Sequence, residues 1–485
     1  MSETGETVLR RAPFATNPAV GARGQRAQQR IVEAGLRVFA EVGYHECGIG
    51  RITELSGCSR ASFYQYFSGK EDLFRHLAGR VARELAAATD TLGPITGDRA
   101  GWEALHGWFA RYGRLYDAYE PVFTTFQSAV ASDEAVATGS AKVAVRTFDG
   151  IRSRITGAAL APRAVDGVVR ALLDAIARAN RVAALLDRAG LGDGAAARDR
   201  VEVALADVFH RTLFGVDAAV NVHPPPGGEG AGSGPVAVPP VPAFAAGPGD
   251  GATPGAAVAG GQAAGADGAD PGDEVGGSER RDGEGPLGPA GRETRARLIE
   301  AGHRVFAERG YYATRVADVV EAAGVSHGVF YRYFANKTEL FRILAGRASR
   351  RLAATLADIP PPPGPPACGG DEARGGDEAG AGAELRAWLR RYATTSAEEA
   401  AITAMWSEAM SRDETLGTAS TAAIETFRAM CARYLAPRGF GDRDAEAIVL
   451  LVLLDALVAT PRRPVSPARI DAVARLIERG LVTPP

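Results

Sequence analysis

Apolar side chains along this chain recur three and four positions apart, the spacing of one helix face, and few stretches alternate as strands do. Ile31, Ala34, Val38 and Phe39 form one such face, in a predicted helix over 25–42 that Gly43 ends. Leu73, Phe74, Leu77, Val81 and Leu85 form another, closed by Gly93-Pro94. From 101 to 214 the pattern stays helical. Trp102, Leu105, Trp108 and Phe109 lead into Tyr112, Tyr116 and Tyr119, and Pro121 restarts a helix ahead of Phe123 and Phe126. Apolar helices come next over 165–186 and 198–214. After residue 384 come Leu385, Trp388, Leu389 and Tyr392, then Met405 and Trp406, then Ile424, Phe427, Met430 and Tyr434. The run 445–458 is almost wholly apolar, and Ile470, Val473, Ile477 and Leu481 make a last amphipathic face. The fold class this implies is all-α.

A repeat organises the pattern. Residues 30–87 align without a gap to 297–354, with about half of the positions identical. In the second copy Val316, Val319, Val320 and Ala323 lie on one face of a short helix that Gly324 ends, and Ser326 caps the next. That next helix turns Phe330, Tyr333 and Phe334 inward and leaves His327, Gly328, Val329, Tyr331 and Arg332 outward. This is a helix-turn-helix. Its outward set suits a major groove: an arginine can donate a bidentate pair to guanine, a valine can meet a thymine methyl, and glycine admits the backbone closely. Thr314, Arg315, Ser326, Tyr331, Tyr333 and Lys337 are the candidates for phosphate contact beside it. In the first copy Ser59, Arg60, Ala61, Ser62 and Gln65 take the leading or outward positions, with Tyr64, Tyr66 and Lys70 for the backbone. The only lysines of the chain are Lys70, Lys142 and Lys337, and the first and last share one repeat position. Two readings stand for that coincidence, a compact ammonium against a phosphate and simple inheritance from a duplication.

The repeated layout is an amphipathic helix ending in Phe39 to Tyr44 or Phe306 to Tyr311. A Gly-x-Ser turn, Phe-Tyr-x-Tyr-Phe, and a lysine followed by Leu-Phe come after it. This resembles the DNA-binding domain of the TetR/AcrR family of transcriptional regulators. The first copy departs from the pattern at Cys58, Arg60 and Ser62, and residues 48–51 replace the usual start of the preceding helix. The resemblance implies two tandem units, each a three-helix head with a helical ligand and dimerisation domain. It also implies that the last two helices of each unit form a four-helix interface, and that the heads act in pairs on double-stranded operator DNA.

Composition sets the boundaries. The 485 residues exceed what one core serves, and two or more domains are expected. Residues 216–290 are dominated by Gly, Ala and Pro with no periodicity, a disordered linker by composition. The expected order is a disordered arm (1–24), a first head (25–90), a first helical domain (101–215), the linker, a second head (291–358), a Pro/Gly-rich insertion (360–383) and a second helical domain (384–482). The whole chain carries a formal net charge of −3. Charge is unequal between the heads: nine basic against seven acidic residues over 25–87, about +2, and twelve against six over 292–354, about +6.

Other classes find little support. The scattered cysteines have no metal-ligand spacing, no cofactor is called for, and no nucleophile-base-acid set or phosphate-cradling glycine loop is visible, which argues against an enzyme. The most apolar run is shorter than the roughly 20 residues a membrane helix needs, and a cytoplasmic location is expected. Trp108, Tyr112, Tyr116, Phe123 and Phe126, with Trp388, Tyr392, Met405 and Trp406, are candidates to line a cavity for a small apolar or aromatic effector, although such stripes also build ordinary cores. The expected function is a ligand-responsive regulator, a repressor, acting as an intramolecular pseudo-dimer or as a homodimer. The alternative is a ligand-binding or interaction protein whose heads no longer read DNA.

Overall fold

The computed structural model describes residues 22–125, 133–188, 195–215, 288–361, 374–409, 414–438, 442–457 and 465–482. The first half runs α1 (Ala22–Glu46), α2 (Ile49–Ser56), α3 (Arg60–Tyr66), α4 (Lys70–Asp90), α5 (Arg99–Ala118), α6 (Glu134–Arg152), α7 (Pro162–Arg188) and α8 (Ala195–Phe214). The second runs α9 (Pro289–Arg309), α10 (Val316–Ala323), α11 (His327–Tyr333), α12 (Lys337–Ala357), α13 (Arg374–Ala409), α14 (Glu414–Leu435), α15 (Arg443–Ala456) and α16 (Pro467–Arg475), the last continuing as a π-helical stretch over Leu476–Val482. Among the described residues the only pairing of extended backbone is an isolated bridge between Ile95 and Ile155. The architecture is all-α in two tandem units.

Helix α13 starts at Arg374, inside the stretch expected to be an insertion. No proline comes after Pro366 until well beyond this helix, so nothing in its first turns forbids helix, and Gly375, Gly376, Gly380 and Gly382 only make them costlier than alanine would. The rest of that insertion (362–373), most of the N-terminal arm (1–21) and most of the linker (216–287) lie outside the described residues.

The chain divides into two compact units. One holds the second head, ending at Ala348; the other holds the first half together with everything from Ser349 onward. Within this larger unit, α4 joins the first head to the first helical domain. Its Leu73, Phe74 and Leu77 close the head's core with Phe39 and Phe63, and Leu115, Tyr119 and Val122, from the end of α5 and just beyond it, reach into the same core. The apolar faces of α7 and α8 share a second core with those of α15 and α16. Val168, Leu172, Phe209, Leu450, Leu453 and Ile477 are all within 2% of full burial in it. Each such side chain contributes roughly 1.5–3 kcal/mol of transfer free energy, which makes this seam a principal source of stability.

Charged groups cross the seam. Arg211 Nη2 donates to Glu446 Oε1 at 2.6 Å, with side chains only 7% and 5% exposed. Arg178 Nε donates to Asp455 Oδ2 at 2.8 Å, and Arg469 pairs with Asp174. At Gly480 the two halves approach so closely that a Cβ there would lie 2.6 Å from the Val208 carbonyl oxygen and 2.7 Å from Thr212 Oγ1.

Another buried charge lies within the first half. Glu202 on α8 is 5% exposed and faces Gly113 on α5, where a Cβ would stand 2.2 Å from its Oε1. Burial raises its carboxyl pKa from the ordinary 4.5 to about 7; Asp199 pushes the same way, while Arg198 and Arg114 oppose. In the unfolded chain Glu202 ionises first as pH rises, so the folded state loses stability between about 4.5 and about 7 on account of this group. Glu202→Gln should therefore gain on the parent protein by about 1–3 kcal/mol between pH 5 and pH 8. Thermal unfolding at the two pH values measures the difference, and parallel behaviour of parent and variant would contradict it.

Candidate nucleic-acid interface

Each head builds its motif from the same local devices. Helix α2 stops at Gly57 (φ 64°) and α10 at Gly324 (φ 65°), the left-handed conformation that a glycine adopts without a Cβ penalty. The following helix starts one residue past a serine. Ser59 caps α3 by accepting from Ser62 N at 3.1 Å, whereas Ser326 occupies the N-cap position of α11 without a side-chain cap bond. Phe63 and Phe67 anchor α3 from beneath, and Phe330 and Phe334 anchor α11; all four are fully buried.

What the two helices present outward differs. On α3 Arg60, Ala61, Tyr64 and Gln65 are exposed and Ser62 is half-buried, with Ser59 exposed just before them. On α11 His327, Gly328, Tyr331 and Arg332 are exposed and Val329 is half-buried, preceded by exposed Ser326. Tyr64 and Tyr331 hold equivalent repeat positions and are both nearly half exposed, at 46% and 48%. Ahead of α10 the exposed Arg315 gives its backbone N–H to Asp318 Oδ2 at 2.9 Å, and Arg309 pairs with the other oxygen of that carboxylate at 2.5 Å. The first head has Gly48 at the cap and Arg51 where Asp318 stands, and so lacks the carboxylate that accepts this bond.

Two candidate contacts need correction, those of Thr314 and Tyr66. Thr314 is completely buried and donates its hydroxyl to the Gly310 carbonyl at 2.7 Å, so its side chain cannot meet a phosphate. Tyr66 is buried in the first head's core, and its counterpart Tyr333 is half-buried. Tyr66 lies at the end of a short helix, where the chain turns extended at Phe67, and its ring follows the core instead of the outer face.

The repeated lysine also acquires a different use. Lys337 Nζ donates to the carbonyls of Tyr311 (3.3 Å) and Thr314 (3.1 Å) and lies 5.1 Å from the Tyr311 ring centroid. Lys70 Nζ repeats this with the Tyr44 carbonyl at 3.1 Å and the Tyr44 ring at 5.0 Å. Each ammonium fastens the chain leaving the first helix of its head to the start of the fourth. Burial, helped by Glu71, raises the Tyr44 hydroxyl to about 12. The recurrence of both Lys and Tyr at fixed repeat positions was the available signal for this clasp.

Residues 31–77 and 298–344 each match the family described as bacterial regulatory proteins of the tetR family. The chain thus carries two tandem segments that each match this family's model. Among curated relatives, the HTH-type transcriptional regulator TtgR of Pseudomonas putida is 50% identical over 52 residues, 11% of this chain and 25% of that protein. The HTH-type transcriptional repressor AcnR of Corynebacterium glutamicum is 35% identical over 77 residues, 16% of this chain and 41% of its own length. The chain thus spans a quarter to two fifths of these relatives. A crystal structure of a tetR-family transcriptional regulator from Streptomyces coelicolor matches at 21% identity and a TM-score of 0.31, over 39% of this chain and 80% of that one.

Of the candidate effector residues, Trp108 and Tyr112 border a cleft of about 420 Å³ between α4 and α5, with Glu84, Leu85, Thr91 and Leu115 opposite or beside them. Tyr116 and Phe123 stack on each other at 5.0 Å between ring centroids and are not part of its lining. Trp388 and Tyr392 are buried in the shared core, 5.3 Å apart, and Met405 is half-buried. Phe126 and the Trp406 side chain lie outside the described residues.

The clasp and the outer face of a tetR-type head respond differently to truncation. Lys337→Ala should lower the stability of the second head by about 1–2 kcal/mol, since it strips a cation from two carbonyls and a ring. Arg332→Ala, on an exposed face, should change it by less than about 0.5 kcal/mol. Thermal unfolding decides: a Lys337→Ala protein as stable as the parent but weaker on DNA would return the ammonium to the phosphate.

Proposed function

We propose that this chain is a transcriptional regulator, a repressor, that reads one operator through both of its heads as an intramolecular pseudo-dimer in the cytoplasm. The observation that carries the reading is the pairing of α7 and α8 with α15 and α16 in one core, within a chain that holds two helix-turn-helix heads. A two-fold dimer places two recognition helices in successive major grooves, about one helical turn apart, and a single chain with two heads meets that requirement by itself. Base reading falls to Arg60, Ala61, Ser62 and Gln65 on one side and to His327, Gly328, Val329 and Arg332 on the other. Tyr64, Tyr331, Ser59, Ser326 and Arg315 serve the backbone.

Release follows from the cleft between α4 and α5. Tyr119 donates its hydroxyl to Glu84 at 2.8 Å, and Trp108 Nε1 donates to Thr89 Oγ1 at 3.3 Å, so α5 grips the lower part of the helix that also closes the first head's core. A small apolar or aromatic molecule seated against Trp108 and Tyr112 would separate these helices and shift α4, carrying α3 with it. The effector acts by binding the shifted arrangement better than the DNA-competent one.

Unequal recognition helices call for an asymmetric operator, and the larger positive charge of the second head assigns it the greater share of affinity. Footprinting of the full chain should show two unlike half-sites. Arg332→Ala should relax base preference in one of them at a cost of about 1–3 kcal/mol, and Gln65→Ala should relax the other by less. Two matching half-sites with equal losses would contradict the assignment, and the absence of any footprint would favour a protein whose heads do not read DNA.

A further inference from the structure

The seam between the two halves is not symmetric in its chemistry. Leu172-Leu173-Asp174-Ala175 on α7 recurs as Leu453-Leu454-Asp455-Ala456 on α15, and Arg211-Thr212-Leu213-Phe214 on α8 is matched by Arg479-Gly480-Leu481-Val482 near the chain's end. These matches give every seam residue a counterpart. Glu446 corresponds to Val165, Arg469 to Val201, and Gly480 to Thr212.

If a first half paired with another first half, Arg211 would face Val165 of the second chain instead of Glu446. Its guanidinium, 7% exposed in the observed seam, would lose the Glu446 carboxylate and have a valine in its place. Asp174 would lose Arg469 to Val201 but would meet Arg178 of the second chain, as Asp455 meets Arg178 now, so that carboxylate does not discriminate. The closest approach would also fail. Gly480 leaves room at a point where a Cβ would be 2.7 Å from Thr212 Oγ1, and a second threonine would bring both a Cβ and a hydroxyl there. Pairing between two second halves would leave the first halves, with Arg211, uncovered.

We infer that the seam is a heterotypic lock, in which Arg211 with Glu446 and Thr212 against Gly480 allow a first half to accept only a second half as partner. The inference deepens the pseudo-dimer reading and rests on it. Its functional consequence is that unlike heads are always brought together on the DNA. Like half-sites recognised by two copies of one head are excluded by the seam, before any base is read. The device is one of negative selection, since the cost falls on the wrong pairing.

The test uses full-length protein throughout, with Arg211→Glu, Glu446→Arg and the exchange R211E/E446R, followed by thermal unfolding and sedimentation. Each single substitution sets like charges together in the buried pair and should lower the unfolding midpoint by roughly 10 °C. The exchange should recover most of that loss. Mixing the two single variants should produce a two-chain species absent from either alone. In that species the substituted first half of one chain meets an opposite charge on the substituted second half of the other, and Arg211 meets Glu446 across the second seam. An exchange variant that unfolds as low as the singles, or a mixture that stays single-chain, would overturn the lock. A parent chain that itself sediments as a dimer would instead defeat the pseudo-dimer, so the two failures are distinguishable.

Discussion

The apolar faces of α7, α8, α15 and α16 have to leave water, and in this protein they do so against one another across a single chain. The constraint is severe because α15 is buried along nearly its whole length and could not stand alone. Once the four faces meet, the few polar groups among them must be matched. Arg211 and Glu446 satisfy each other in a nearly dry setting where either one alone would be costly. Both helical domains are positioned by that meeting. The first head follows directly, because α4 belongs to its core and is gripped by α5.

The ends of the two fourth helices show one task solved in two ways. In the first half Tyr119 reaches Glu84 by a hydrogen bond; in the second, Arg351 reaches Glu398 at 2.5 Å and also pairs with Glu399. Arg351 is the repeat counterpart of Glu84, so the polarity of the link has been reversed while its place was kept. Such links hold the long helix against the domain that would sense an effector. The ion-paired version is the more exposed to solvent and correspondingly weaker per contact than a buried one.

Much of this was legible in the sequence, and the reasons are local. Helical spacing of Leu73, Phe74, Leu77 and Val81 marks the buried face of α4, and the glycines at 57 and 324 mark turns that only that residue makes easily. The buried Thr314 and Tyr66 were not legible, because one sits in a loop without periodicity and the other at a helix end where the chain turns away. Lys337 carried a true signal, its repetition, but repetition alone does not separate a carbonyl from a phosphate as the partner. The Arg211 to Glu446 pair joins residues 235 positions apart, and no local pattern reveals it. A glutamate near the start of a mostly apolar run was its only trace.

The central claim is that one chain supplies both reading heads to one operator through an internal pairing of its halves. The mass of the protein on its own footprinted DNA tests this most directly, by sedimentation or native mass measurement at concentrations spanning the binding midpoint. The account predicts one chain on each operator, protecting two unlike half-sites. Two chains on a single operator, each contributing only one head, would contradict it.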